Sequence, residues 1–188
     1  MKSIDIRLDA ASMDQLKSMI GETLCKYKCD PFIFSNDVYG IAGICTEKSS
    51  FAFTNTTQTM DYYGAPEDVA VFRFVPMAEE DIQSKVQDEV MIEIPVLSRI
   101  KEINVVNERQ KLFENEVQIY EVRLTRGVIF IMEDELEISF EKSVWFSEMI
   151  TVNRGYKLIN HFSHTSEFEE NWEGGQRGEC TREIVVFS

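Results

Sequence analysis

The chain has 188 residues, of which 44% are hydrophobic, and its 19 Lys and Arg stand against 33 Asp and Glu, for a formal net charge of -14. This acidic balance disfavours direct binding to nucleic acid or to an anionic membrane, because both need clustered Lys and Arg. The composition argues against disorder and long linkers, and it predicts a single folded domain over residues 1–188. We expect the acidity to serve solubility. The alternative is a protein that mimics nucleic acid and occupies the basic groove of a partner.

The N-terminus and the cysteines predict where the chain works. Residues 1–7 are polar at alternate positions and contain no apolar core of signal-peptide length, so we expect no secretion by that route. No window holds the ~20 apolar residues that a spanning helix needs. The cysteines are too few and too irregularly spaced for a disulfide scaffold; they are Cys25, Cys29, Cys45 and Cys180. Together these features predict a reduced, cytoplasmic setting.

The first elements are predicted to be a strand and a helix. Residues 3–8 alternate apolar and polar side chains, as in a strand with one buried face. Ser12 and Gln15 have the spacing of a capping box, in which each side chain satisfies a free backbone N–H of the first helical turn. An apolar stripe from Met13 to Leu24 then predicts an amphipathic helix that covers one face or one end of the sheet.

The middle of the chain consists of short β-branched and aromatic runs, which favour strands. We predict these strands at residues 32–34, 38–45, 50–60, 69–75, 90–96 and 99–106. A wide turn is predicted at residues 61–66 and a short exposed helix at residues 78–90. The stretch 107–116 fits no element well and marks a possible boundary between two sub-domains.

The clearest pattern lies between Val117 and Val152, where strand-like segments follow one another closely. Residues 136–141 alternate apolar and polar side chains, and the acidic run Glu133–Glu135 before them predicts a hairpin turn. A last strand is predicted at residues 183–187. The sequence therefore predicts an α+β fold dominated by antiparallel sheet, as a sandwich or a partly closed barrel, with an N-terminal amphipathic helix.

His161 and His164 are the two histidines of the chain, and Glu167 follows them. Two imidazoles and a carboxylate are ligands that zinc accepts, and the three-residue spacing would place both rings on one face of a helix. The more common alternative is a pair of polar surface histidines. Zinc is the one cofactor that the sequence suggests.

Three arginines precede glycines where strands are predicted to end, namely Arg126, Arg154 and Arg177. Arginines beside turns that admit a close ligand can form an anion-binding pocket. In the alternative interpretation, the glycines supply turn geometry and the arginines pair with surface glutamates. The candidate binding residues on this pattern are Arg126 and Arg154.

Trp145 and Trp172 lie near acidic residues late in the chain and are candidates for an aromatic platform that binds a partner. Trp145 and Phe146 are adjacent, so in a strand they would point to opposite faces. One of them then needs a second packed layer or an interface. The N-terminal helix or residues 157–173 are the candidates for that layer.

Three functions remain open from the sequence. The first is a non-catalytic binding or assembly module that acts through a protein partner or through self-association. The second is a small metal-assisted hydrolase that uses His161, His164 and a carboxylate such as Glu167. The third is the acidic mimic of nucleic acid. The first is favoured because the sequence shows no phosphate-binding loop and no recognisable nucleophile and base pair, although catalytic groups converge in space rather than in sequence.

Overall fold

A computed structural model describes residues 1–33, 35–172 and 174–188. Strand residues make up 59% of the chain and helical residues 11%, which confirms the prediction of a mostly antiparallel sheet. The strands in the described residues are β1 Lys2–Ile6, β2 Thr23–Cys29, β3 Asp37–Tyr39, β4 Ile41–Thr46, β5 Ser50–Tyr62, β6 Ala65–Pro76, β7 Ile92–Glu114, β8 Val117–Met132, β9 Glu137–Lys142, β10 Met149–Gly155 and β11 Gln176–Phe187.

The strands form one open sheet in the order β3-β10-β9-β8-β7-β2-β4-β5-β6, with β1 beside β8 and β11 beside β7. The longest strand, β7, joins two parts of this sheet, here called its wings. One wing contains β2, β4, β5 and β6, and the other contains β3, β8, β9 and β10. Residues 92–99 of β7 pair with β2, and its residues 100–114 pair with β8. The sequence predicted a sandwich or a partly closed barrel, whereas the structure has a single open sheet. The stretch 107–116 lies in β7 and in the turn that follows it.

The N-terminal helix is shorter than predicted. Helix α1 spans Ala10–Ser18, and its N-cap is Asp9, whose carboxylate accepts a hydrogen bond from the Ser12 backbone N–H at 2.8 Å. The capping box predicted at Ser12 is wrong, because the Ser12 hydroxyl is buried and donates to the Phe74 carbonyl instead. Gly21, with φ +81°, redirects the chain into β2, so the C-terminal part of the predicted stripe is a strand.

Three further predictions need correction. Residues 38–45 form two strands that are separated at Gly40, and the wide turn at 61–66 is a two-residue turn at Tyr63–Gly64. The helix at 78–90 reduces to a 3-10 turn at Glu79–Asp81, because its thin apolar stripe buries Ile82 alone. Phe34, in the strand predicted at 32–34, lies outside the described residues. A second helix, α2, spans Ser166–Glu169; no helix in the described ranges is long and apolar enough to cross a bilayer.

Stacked phenylalanines fill the main core. Phe53 of β5 stacks on Phe72 of β6, with ring centroids 5.1 Å apart, and on Phe140 of β9, at 4.9 Å. Phe130 of β8 meets Phe140 edge-on at 6.1 Å. The two wings of the sheet therefore fold towards each other over a shared apolar core.

The opposite face of β8 and β9 is also covered. The predicted hairpin turn at Glu133–Glu135 is present between these strands. The polar positions Ser139 and Glu141, however, are buried and not exposed to water. Phe162 and the 3-10 turn Leu158–His161 pack over this face. The chain that follows β10 therefore supplies a second packed layer. Trp145 and Phe146, from which such a layer was inferred, do not lie in a strand as supposed but in the turn between β9 and β10.

Candidate binding cleft

A β-bulge in β8 directs Arg126 towards buried partners. Val106 of β7 lies opposite Gly127, whereas Asn107 lies opposite Thr125, so Arg126 is the extra residue of the bulge. Bulges reorient single side chains and occur often beside functional sites. The Arg126 Nε donates to Glu141 Oε1 at 3.0 Å, and both side chains are only 5% exposed.

A second buried ion pair lies beside the first. Arg182 Nη2 of β11 donates to Glu108 Oε1 of β7 at 2.5 Å and to the Ser163 carbonyl at 2.6 Å. Gln110 Nε2 donates to the other Glu108 oxygen at 3.2 Å. The hydroxyl of Tyr63 then donates to Gln110 Oε1 at 3.3 Å. The Glu108 carboxylate and the Gln110 amide are therefore hydrogen-bonded, which offsets part of their desolvation cost, whereas the buried Nε of Arg182 has no partner.

The two ion pairs hold residues 163–172, here called the cover segment. The backbone N–H of Ser163 donates to Glu141 Oε1 at 3.0 Å, while its carbonyl accepts from Arg182. The backbone N–H and carbonyl of Ser163 are thereby both hydrogen-bonded to side chains of the sheet. The segment begins at a fixed position over β7, β8 and β9.

Lys142 fixes residues 143–148, here called the tryptophan loop. Its buried ammonium donates to the carbonyls of Ser143, at 3.1 Å, and Trp145, at 3.2 Å. Burial, with a smaller contribution from the nearby Arg126 guanidinium, lowers the pKa of Lys142 from its usual range to about 7. Trp145 itself has φ +38°, a left-handed conformation that is strained for a bulky residue and is more common at functional sites.

A cavity of about 520 Å³ lies between the cover segment and the tryptophan loop. Buried polar side chains from three strand positions form its floor, aromatic rings form a wall, and polar residues of the cover segment form its rim. These residues include Glu108, Gln110 and Arg126 on the floor, Trp145 and Phe168 on the wall, and His164, Glu167 and Glu170 on the rim.

A smaller cavity of about 220 Å³ lies beside the first. It is lined by Tyr62, Tyr63, Glu67, Trp145, Phe146, Asn171 and Trp172. Trp145 and Asn171 line both cavities, so the two are adjacent, one lined mainly by polar and charged side chains and the other mainly by aromatic rings. We call this pair of cavities the binding cleft.

Two local features of the backbone position the aromatic part. The turn at Tyr63–Gly64 has positive φ at both residues, +53° and +95°, and it brings Tyr62 and Tyr63 to the cleft at the end of β5. Gly178 of β11 lies under Trp172, where an added Cβ would come within 2.6 Å of the indole Cδ1. The absence of a side chain at Gly178 therefore makes room for the indole.

The structure brings together three of the four predicted binding residues. Arg126, Trp145 and Trp172 all line the cleft. Arg154 does not lie with them: its exposed side chain donates from Nη1 to the Pro95 carbonyl of β7 at 3.2 Å.

The predicted zinc ligands are only partly brought together. His164 and Glu167 line the larger cavity, whereas His161 ends a 3-10 turn and is not among its lining residues. The His164 Nδ1 lies 2.9 Å from the Ser166 hydroxyl. Within the three described ranges, no group of three or more His, Cys, Asp or Glu side chains is arranged to hold a metal ion.

Sequence reasoning missed Glu108 and Gln110, which line the cleft, and Lys142 and Arg182, which hold the tryptophan loop and the cover segment. They come from three strands that are distant in sequence, and no short motif contains them. The only local signal is the pair Glu141-Lys142 at the end of an alternating strand. Adjacent side chains of a strand point to opposite faces, so one of these two charged side chains must face the covered side.

Comparison with protein-family models, with curated proteins and with solved structures gives no match to this chain. The functional inference therefore depends on the cleft itself.

Proposed function

We propose that this protein is a non-catalytic binding module that holds a segment of a protein partner in the binding cleft. The observation that carries the proposal is the adjacency of the two cavities, which share Trp145 and Asn171 as lining residues. A cleft of this form offers hydrogen-bonding groups in one part and aromatic rings in the other. Extended peptide segments are recognised by this combination of polar contacts and side-chain pockets.

The walls of the cleft are held in place by buried polar contacts. Arg182 and Glu141 hold Ser163 at the start of the cover segment, and Lys142 holds the tryptophan loop at Trp145. A preformed site loses less conformational freedom on binding than a mobile one, which supports affinity. Tryptophan and tyrosine are also the side chains that contribute most often to the energy of protein interfaces.

Charge favours a basic partner. The formal net charge of -14 attracts positively charged surfaces over a distance of about 10 Å at moderate salt. A second copy of the chain carries the same charge, so self-association is the less favoured form of this proposal. We place the interaction in the cytoplasm, and the four free cysteines are consistent with a reducing compartment.

The test is selection of peptides from a random display library on the purified full chain, followed by titration of the selected peptides. Asn171→Arg introduces a long side chain where the two cavities meet, and Asn160→Arg makes the same change at an exposed position outside the cleft. We expect Asn171→Arg to weaken peptide binding at least about ten-fold and Asn160→Arg to leave it unchanged. Failure to enrich any peptide, or equal binding to both variants, would refute the proposal.

The hydrolase and the nucleic-acid mimic remain predictions from the sequence. The cleft contains His164 and Glu167 but not His161, an arrangement that favours binding over metal-assisted hydrolysis. If His161 and His164 hold zinc, their joint replacement by alanine removes a chelatable ion that is visible by native mass spectrometry. A mimic instead binds a basic nuclease or repressor with an affinity that falls steeply as salt is added.

A further inference from the structure

The smaller cavity is lined by aromatic rings that meet edge to face and is open to solvent on one side, where Glu67 and Asn171 are exposed. Tyr62 and Tyr63 have ring centroids 4.6 Å apart and planes at 76°. The corresponding values are 6.0 Å and 74° for Tyr62 and Phe146, and 5.0 Å and 67° for Tyr63 and Trp172. Trp145 meets Phe146 at 6.3 Å and 67°. These five rings form an aromatic box.

The chemistry of the box favours a cation. The face of an aromatic ring carries partial negative charge, and several faces around one space attract a positively charged group. Burial raises the pKa of Tyr62 and of Tyr63, so both phenols stay neutral. Glu67 lines the same cavity and is exposed; its carboxylate adds negative charge at the opening.

The lining also selects among cations. A primary ammonium group is strongly hydrated and needs hydrogen-bond acceptors to replace its water. The box provides five rings and two exposed side chains with acceptor oxygens, Glu67 and Asn171, so a primary ammonium group would replace only part of its hydration there. A quaternary ammonium group donates no hydrogen bonds and therefore loses little on entering. Its four or five heavy atoms fit in 220 Å³, a space equivalent to that of several water molecules at about 30 Å³ each.

We propose that the aromatic box binds a quaternary ammonium group, and that its natural source is a trimethylated lysine side chain of the protein partner. The assignment to a lysine rests on the proposed function, because the larger cavity beside the box then receives the neighbouring residues of the same segment. The assignment to a quaternary cation rests on the box alone. The two parts can be tested separately.

The first experiment compares choline with 3,3-dimethylbutan-1-ol, in which a carbon atom replaces the charged nitrogen. Each is titrated into the full-length chain and followed by calorimetry. We expect choline to bind at least about ten-fold more tightly, since attraction to several ring faces requires the positive charge. Equal affinity of the two compounds, or no choline binding, would overturn the proposal.

Variants then locate the site. Phe146 is 47% exposed, so Phe146→Ala removes a wall of the box with little effect on folding. We expect it to weaken choline binding about five-fold and Glu67→Gln to weaken it about two-fold. The matched control is Tyr156→Ala, which removes a ring that is 64% exposed and lies outside the box. Equal choline binding by Phe146→Ala and Tyr156→Ala would overturn the location.

The source of the cation is tested with paired peptides that contain trimethyllysine or unmodified lysine in the same sequence, taken from the cleft-binding selection. The lysine assignment is supported if the trimethylated peptide binds more tightly than choline and also more tightly than the same peptide with unmodified lysine. If choline binds as tightly as the trimethylated peptide, the box holds a free small cation and the lysine assignment is wrong. Cleft-binding peptides that are indifferent to methylation, with no choline binding, would overturn the box and leave the proposed function standing.

Discussion

The phenylalanine core and the polar floor of the binding cleft are buried to a similar degree but are held together by different interactions. Phe53 and its neighbours contact one another through stacked and edge-on rings, and these contacts need no hydrogen bonds. In the cleft, Arg126 with Glu141 and Glu108 with Arg182 are charged pairs withdrawn from water. Burial alone therefore does not distinguish the core from the proposed binding cleft, whereas the chemistry of the buried groups does.

The difference also bears on stability. A buried ion pair contributes little net stability relative to well-packed apolar side chains, because the loss of hydration opposes the attraction of the charges. The apolar core stabilises the fold directly. The ion pairs of the cleft instead fix Ser163 and the cover segment. We infer that they are retained for position and not for stability.

The largest expected effect is in the apolar core. Phe53→Ala removes a ring that contacts Phe72, Phe74 and Phe140, and we expect the free energy of unfolding to fall by roughly 4 kcal/mol. Chemical denaturation measures this loss. Phe146→Ala, at a half-exposed ring, is the control and should cost less than about 1 kcal/mol. Similar losses for the two variants would contradict the assignment of Phe53 to the core.

The next effect concerns the ion pair of the bulge. Glu141→Leu leaves the Arg126 guanidinium buried without its carboxylate and removes the acceptor of the Ser163 N–H, so we expect a loss of roughly 3 kcal/mol. The double variant Arg126→Met with Glu141→Leu should recover most of that stability, because no charge remains unpaired. It should nevertheless bind cleft peptides less well. Full recovery of both properties would show that the pair does not position the cover segment.

A smaller effect is expected from pH. Lys142 has a pKa of about 7 in the folded chain and about 10.4 when unfolded, so between these values the unfolded chain binds more protons. The free energy of unfolding therefore rises with pH, by about 2 kcal/mol from about pH 6.5 to about pH 8.5. Urea unfolding at several pH values measures the slope. Lys142→Met removes the titrating group, and an unchanged slope in that variant would assign the pH dependence elsewhere.

The smallest effect is at the glycine below the indole. Gly178→Ala places a methyl group against Trp172 and should cost about 1 kcal/mol, with a shift in tryptophan fluorescence as the ring moves. Gly155→Ala is the matched control, since its Cβ would lie 3.5 Å from Leu158, an ordinary contact. If Gly178→Ala leaves the fluorescence unchanged, the indole does not depend on the space above this glycine.

The comparison also explains which features the sequence could predict. Strand alternation and the turn at Glu133–Glu135 depend on neighbouring residues, so their patterns are visible along the chain. Trp145 and Trp172 could be chosen because tryptophan is a large side chain that often contributes to protein interfaces. The apolar core follows from the same alternation.

Other features depend on contacts between distant residues. Glu108 and Arg182 meet across 74 positions, and the bulge at Arg126 is defined only by its pairing with β7. The alternation at Ser139 and Glu141 predicted a wet face, but this face is covered by residues from after β10. These features are determined by tertiary packing, which cannot be read from a local sequence pattern.

The parallel pairing of β1 with β8 has a consequence for the order of folding. Lys2 lies opposite Tyr120, and Ile6 lies opposite Leu124, so β1 finds its neighbour only after a further 118 residues have been synthesised (120 − 2). The β7–β8 hairpin closes through the two residues Asn115 and Glu116, and such local contacts form early. We therefore expect this hairpin to nucleate folding and β1 to dock late. Until it docks, β8 presents an open edge to other newly made chains.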